Sequence, residues 1–331
     1  MAGSLMGESG NKPKIPLKTK LKVWWEGYDI HDVEARLRAL EPKQPPRPAK
    51  PTPPPKPIDP NLPVEPWDSR RIDIAQYIWG EGYCGPGGPE YVVALSKLLA
   101  LSPEMSALVI GAGLGGPCRV LAQEFGVWIT GVEESKQLAE AGMELSVMAG
   151  LAKKAIIKHY DPKHPDAFER NFDRAFSKEG LHTVEDKLAL VRQVQKKLKN
   201  DGLFLITDYF LGRESAANSD AYKEWKEKEP ARPYLVTAEE MIDIFGNSGF
   251  TVRVNEDISE QYQTMIAHAW SEADLVVAKL LSQGEEGRQL VEVLMHEAEL
   301  WSRRSKMLAE GLLQMRRFLA VKKATKTMSD W

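Results

Sequence analysis

The run Gly111-Ala112-Gly113-Leu114-Gly115-Gly116 is where residue type and spacing first point to chemistry in this 331-residue sequence. It follows the apolar stretch Ala107–Ile110 and precedes a segment of helical pattern. Glycine lets the backbone turn sharply and approach a ligand closely, and a helix start offers unpaired N–H groups. The next apolar stretch, Trp128–Val132, ends in Glu133-Glu134, twenty residues past Gly113. A carboxylate there can accept hydrogen bonds from both hydroxyls of a ribose. Two cofactor classes meet this description. Gly111-x-Gly113-x-x-Gly116 has the spacing of a dinucleotide loop, and Gly111-x-Gly113-x-Gly115 that of an S-adenosylmethionine (SAM) loop. A glycine-rich turn without a cofactor is the bland alternative.

A second set of residues has the chemistry of proton transfer and anion binding. Glu179 and His182 stand three apart after the stretch Phe172–Phe176. An imidazole, with an ordinary pKa of ~6.5, can take a proton from a nucleophile; a capping or core histidine is the competing reading. Tyr209 closes the stretch that includes Leu203–Thr207, and its hydroxyl can orient a polar substrate or simply pack. Arg232 and Arg304 can clamp a phosphate or carboxylate through two parallel bonds, or be solvated surface residues, and Tyr234 is weighed with them. His159 and His164 lack metal-ligand spacing, so no metal is expected. His268 and His296 fall on helical patterns and read as structural.

The elements that must hold these residues alternate regularly. Strands are expected at Ala107–Gly111, Trp128–Val132, Ala155–His159, Phe172–Phe176, Leu203–Thr207 and Phe250–Val254. Helices are expected at Glu90–Leu101, Pro117–Phe125, Lys136–Met148, Glu185–Lys197 and Ala238–Asn247. Ile72–Trp79 reads as helix or turn. Such alternation gives a mostly parallel sheet covered on both faces, with ligands at the carboxyl edge of the strands. Beyond Asp257 the pattern changes to long helices, Ser259–Leu281 and Glu285–Leu312, before a last strand, Arg316–Lys322. This insert is expected to form a lid over the carboxyl edge, with Met265, Trp270, Met295, Trp301 and Met307 available to line it. A dinucleotide needs a second mononucleotide half or a substrate domain, whereas the about 200 residues after the glycine loop carry a single continuous sheet pattern. Asp161, just after the third strand, sits where a methyltransferase takes the adenine amino group. Both facts favour SAM over a dinucleotide.

Twelve of the 22 prolines lie between Pro42 and Pro66. Proline has a fixed φ and no N–H, so this segment predicts an extended polyproline II spacer, at ~3.1 Å per residue. It divides a head (1–41), a spacer (42–66), a body (67–324) and a short tail (325–331). The head combines Lys18, Lys20 and Lys22 with Trp24 and Trp25, a mix that suits a membrane surface, a partner groove, or packing on the body. Residues 1–66 carry 11 Lys/Arg and 8 Asp/Glu, so the net −3 of the chain leaves −6 on the body. That balance argues against nucleic acid. Two cysteines without metal or CxxC spacing, and no apolar leader after Met1, predict a reducing cytoplasmic compartment, with peripheral membrane contact through the head as an option.

The run Tyr77-Ile78-Trp79-Gly80-Glu81-Gly82-Tyr83-Cys84-Gly85-Pro86-Gly87-Gly88 resembles a signature of phosphoethanolamine N-methyltransferases. The resemblance continues through Gly111–Gly116, Leu205-Ile206-Thr207-Asp208-Tyr209, Leu235–Glu240 and Trp301-Ser302-Arg303-Arg304. It implies a class I methyltransferase, Rossmann-like α/β fold: a seven-stranded, mostly parallel sheet with an antiparallel last strand and a helical lid between the last two strands. It implies SAM contacts from Tyr83, Gly87, Gly88, Gly111, Gly113, Gly115, Glu133, Glu134, Asp161 and Ser177. His182 matches the histidine of the family's Tyr–His pair. Tyr209, Arg232, Tyr234 and Arg304 match residues that hold the substrate's phosphate. The sequence departs from the family at Trp67, near the catalytic tyrosine, at Glu179, where an aspartate meets the amine, and at Val109, where an acid ends the first strand. The expectation is therefore SAM-dependent methylation of a small amine that bears an anionic group. An O- or C-methyltransferase on a more apolar acceptor is the alternative, as is a SAM-binding scaffold that docks through residues 17–66.

Overall fold

The computed structural model describes residues 66–164 and 167–323, so the head, the tail and all of the spacer but Pro66 lie outside the described residues. Helix α1 (Ser69–Trp79) starts where the Asp68 carboxylate accepts from Arg71 N at 2.8 Å, a side-chain cap for an otherwise unpaired donor. Helix α2 (Gly88–Ser96) follows the glycine-rich first loop. The chain then alternates through β1 (Ser106–Ile110), α3 (Gly116–Glu124), β2 (Trp128–Glu133), α4 (Lys136–Met148), β3 (Ala155–His159), β4 (Phe172–Lys178), α5 (Lys187–Lys197) and β5 (Leu198–Leu211). Next come α6 (Asp220–Lys228), α7 (Ala238–Asn247), β6 (Phe250–Asp257), α8 (Ser259–Trp270), α9 (Ala273–Leu281), α10 (Glu285–Ala309) and β7 (Leu313–Lys322).

The seven strands lie in the order β3-β2-β1-β4-β5-β7-β6. β1 to β5 pair in parallel, and β7 runs antiparallel between β5 and β6. Alternate residues of each central strand face opposite sides. Leu108, Ile110, Phe204 and Ile206 meet Leu190, Val191 and Val194 of α5 and Met241 and Phe245 of α7. On the other side Cys118 of α3 packs so closely on Gly131 that a Cβ there would stand 2.8 Å from its sulfur. Val109, at the place where the family's acid was expected, is a buried residue of that layer.

The register brings Ile110 beside both Val132 and Ser177, and Ser177 beside Ile206, so β1, β2, β4 and β5 end at one edge. The loops after β1 and β4 touch there. Gly111 has φ +69°, and a Cβ on it would overlap Gly180. A Cβ on Gly180 would lie 2.5 Å from Ile110 O, so neither position accepts a side chain without displacing the other loop.

The structure corrects several expected boundaries. β5 is longer than Leu203–Thr207 at both ends. The Ser259–Leu281 pattern is two helices that break at Ser271 and Glu272. Helix α6 was not expected at all; Ser219 caps it by accepting from Tyr222 N at 3.2 Å. The lid itself is present. Trp301 of α10 is buried against the first loop, within 3.4 Å of where a Gly85 Cβ would be, and Arg71 of α1 forms a buried ion pair with Glu297 of α10. Met307 is buried with it, whereas Met295 is 53% exposed and does not line the lid's inner face.

Candidate active site

Glu133 is buried at the end of β2, and both its oxygens are engaged: Oε2 accepts from Gly113 N at 2.7 Å and Oε1 from Ser135 N at 2.9 Å. The carboxylate thus ties the glycine loop to the start of α4. Burial raises its pKa against the lowering effect of those two bonds. A Cβ on Gly113, at φ +54°, would meet Cys84 Sγ at 3.7 Å, an ordinary contact, and no other atom within 4 Å among the described residues. This is room beside a carboxylate and a bare backbone, the surroundings a ribose and an amino-acid tail would need. Gly115 caps α3, and Gly87 and Gly88 start α2. Ser177 Oγ donates to Ile110 O at 3.0 Å and stitches β4 to β1. Glu134 stands nearby, its pKa raised by burial and by the negative charge of Asp161. Asp161 itself is exposed, and its Oδ1 accepts from Lys163 N at 2.9 Å.

Tyr83 is buried, and a Cβ on Gly116 would come within 2.8 Å of its ring; its hydroxyl has no partner among the described residues. Gly116 N donates to Gly82 O at 2.9 Å, so the first loop covers the glycine loop directly. Trp67 packs against the cluster of Ile72, Leu114, Leu138 and Leu145, as Cys84 of that loop does, with the Arg71 guanidinium 4.0 Å from its ring centroid.

The second group lies past β4 and β5. Glu179 has φ +57°, its N–H donates to Thr207 O at 2.8 Å, and its carboxylate pairs with Lys178. A non-glycine residue in the left-handed region is uncommon and marks a constrained turn. His182 Nδ1 lies 3.2 Å from Asp208 Oδ1; the two side chains are 17% and 2% exposed. Asp208 is fixed in turn by Leu181 N at 2.7 Å and Tyr209 N at 2.8 Å. Tyr209 stacks edge-on to His182, and its hydroxyl is 3.3 Å from that of Tyr262 on the lid helix α8. Glu179 stands beside Tyr262, so the lid approaches the acid after β4 and the tyrosine of β5 together.

Arg304 does not stand ready for a ligand. Its Nη2 is 2.6 Å from Glu229 Oε2, and its Nε is 3.2 Å from both carboxylate oxygens. The expected anion clamp is a clamp on another residue of the chain. Two cations lie over the ring of Tyr234, Arg232 at 5.5 Å and Lys226 at 5.6 Å from its centroid. Its backbone N–H donates to His182 O at 2.7 Å, which joins that loop to the histidine.

Asp208, Lys187, Glu229 and Tyr262 belong to this site and were not singled out from the sequence. Asp208 was within reach as the charged member of an otherwise apolar strand run, Leu205-Ile206-Thr207-Asp208-Tyr209. Lys187 is buried, donates to Val184 O at 2.8 Å and to Tyr234 O, and feels the charge of Asp208. Burial pushes its ammonium down to about 8. The unfolded chain therefore binds that proton more readily between about 8 and the unfolded value of ~10.4. The cost of burying the charge is fully present below about 8 and is relieved as pH rises through that window. Lys187→Met is expected to remove this dependence: relative to the variant, the wild type gains ~1.4 kcal/mol per pH unit inside the window. Denaturant unfolding of both proteins at pH 7.5 and 9.5 measures it, and parallel stabilities would refute the assignment.

Residues 90–254 match the family model described as a methyltransferase domain. The chain carries a methyltransferase domain. This methyltransferase is 29% identical over 198 residues to phosphoethanolamine N-methyltransferase of Plasmodium falciparum, a match covering 59% of the chain and 72% of that relative. To phosphoethanolamine N-methyltransferase 2 of Caenorhabditis elegans it is 25% identical over 202 residues, 59% of the chain and 44% of that protein. Its fold is similar to that of Haemonchus contortus phosphoethanolamine N-methyltransferase 2, solved with phosphomonomethylethanolamine and S-adenosylhomocysteine (TM-score 0.68, 23% identity, 76% of this chain and 57% of that one). The methyltransferase thus spans less than two thirds of the length of both nematode proteins. Among the described residues no helix is long and apolar enough to cross a membrane, and no group of three His, Cys, Asp or Glu side chains could hold a metal ion.

Proposed function

We propose that this methyltransferase transfers the methyl group of SAM to the amine of a small acceptor that carries an anionic group. The observation that carries the reading is the position of His182, backed by Asp208, on the same sheet edge as the glycine loop closed by Glu133. SAM, when bound, supplies a methyl group on a sulfonium that an amine can attack in line, the N–C bond forming as the C–S bond breaks and S-adenosylhomocysteine leaves. Glu133 would hold the ribose hydroxyls, and the loop Gly111–Gly116 the amino-acid part. The amine must be neutral to attack, so it has to lose a proton. His182 is placed to accept it, and Asp208 at 3.2 Å stabilises the imidazolium that results. Glu179 offers a carboxylate beside Tyr262 that can orient the amine through the same turn. Trp301, Tyr262 and the first loop exclude water, which strengthens these charge interactions. Lys226 and Arg232, both near the ring of Tyr234, offer the anionic group its partners. The names of the curated relatives support an amine as acceptor.

Calorimetric titration with SAM, followed by a screen for S-adenosylhomocysteine release with ethanolamine derivatives, tests the proposal. Saturable SAM binding and release that requires an added amine are expected. Failure to bind SAM would end the reading, and turnover restricted to phenols or carbon acids would replace the amine by another nucleophile.

A further inference from the structure

Two cations of this site, Lys178 and Arg304, each already have a carboxylate of their own. Lys178 is paired with Glu179, Arg304 with Glu229, and Asp208 lies beside His182 and within the field of Lys187. Of these, the Arg304–Glu229 pair is the most enclosed by its geometry. The two side chains are 13% and 3% exposed. The Nε–Nη2 side of the guanidinium, the one that forms two parallel bonds to an oxyanion, is filled by Glu229. The plane is held between the rings of Trp301 and Tyr209, at 4.8 and 5.6 Å. Glu229 is the residue at which α6 ends, and it turns inward while Glu224 and Lys228 of that helix pair with each other on the surface.

A phosphate monoester carries close to two negative charges at neutral pH, since its second pKa is ~6. It would have to displace Glu229 from Arg304 or lie against a buried carboxylate, and both are unfavourable. A carboxylate or phosphodiester, with one negative charge, needs only the half-buried Lys226 and the exposed Arg232, for which no carboxylate partner is present among the described residues. We propose that Glu229 determines specificity: it withholds Arg304 from the acceptor, so the pocket takes amines with a single negative charge and refuses phosphate monoesters. This inference rests on the amine-methyltransferase reading above.

The test compares three acceptors that share an aminoethyl group: β-alanine (a carboxylate), glycerophosphoethanolamine (a phosphodiester) and phosphoethanolamine (a monoester). With the full wild-type chain, kcat/KM for at least one of the first two is expected to exceed that for phosphoethanolamine by tenfold or more, and the better of the two tells a free carboxylate from a phosphodiester head group. Glu229→Gln is expected to shift the ratio towards phosphoethanolamine by at least tenfold, and the double variant Glu229→Gln/Arg304→Gln to return it to the wild-type value. Equal or better use of phosphoethanolamine by the wild type, or an unchanged ratio in Glu229→Gln, overturns the proposal. If Glu229→Gln does not fold, the charge-neutral double variant decides against the wild type. A drop in phosphoethanolamine preference on losing Arg304 would show that Arg304 serves the substrate after all. Should no amine release S-adenosylhomocysteine from the wild type, the amine reading fails, and calorimetric titration with inorganic phosphate still judges Glu229: tighter binding by Glu229→Gln than by the wild type supports its role, and equal binding refutes it.

Discussion

His182→Ala is expected to lower turnover by about 10²- to 10⁴-fold, the usual contribution of a positioned general base, while SAM still binds. The two effects separate because His182 and the glycine loop are different parts of one edge. The ring is held by contacts to Asp208 and Tyr209 and shares no hydrogen bond with Glu133 or with Gly113. The ring also provides little of the packing around it, since Tyr209 keeps Tyr262 and Asp208 keeps its two backbone donors in its absence. Steady-state S-adenosylhomocysteine release, with calorimetry of SAM binding in parallel, reads both. Unchanged turnover would remove His182 from the mechanism. An equal loss of SAM affinity would make it a structural residue.

Glu133→Ala acts on the other half of the reaction and should weaken SAM binding by ten- to a hundredfold or more, as expected from losing one or two hydrogen bonds to a charged group at ~1.5–3 kcal/mol each. Stability should fall as well. The side chain satisfies Gly113 N and Ser135 N, and a buried donor left unpaired costs ~1–3 kcal/mol. Glu133→Gln separates the two losses, because it retains an acceptor for one of these donors while removing the charge. The pH dependence has opposite signs for the two properties. Burial holds the Glu133 carboxyl above its ordinary range, so the folded protein binds this proton more readily than the unfolded chain. The group's contribution to stability therefore improves as pH falls through its folded value. SAM affinity worsens over the same interval, because the neutral acid is the weaker acceptor. Calorimetry and unfolding on one pH series would show the divergence, and parallel trends would exclude Glu133 as the ribose ligand.

The central strands and the glycine loop were legible because they depend on local signals: apolar runs, and glycines where backbone meets backbone. Helix α6 was not, because DAYKEWKEK buries only Tyr222 and Trp225 and offers too little apolar periodicity. Residues at strand ends, Glu133, Glu179, His182 and Tyr209, were readable for the same reason as the strands. Their partners were not. Arg304 meets Glu229 from 75 residues away, and Tyr262 meets Tyr209 from 53. No spacing rule encodes contacts that are made by the closure of a lid on a sheet. The sequence showed an arginine at the right place, and only the fold showed that its charge is already spent.

The contact of Gly111 with Gly180 has a mechanical side. With no side chain between them, the two loops have no cushion that could absorb a displacement, so the backbone that would receive the cofactor bears directly on the backbone that carries Glu179 and His182. On the proposed mechanism, the seat of the methyl donor and the turn that carries the base are therefore held in one rigid spacing.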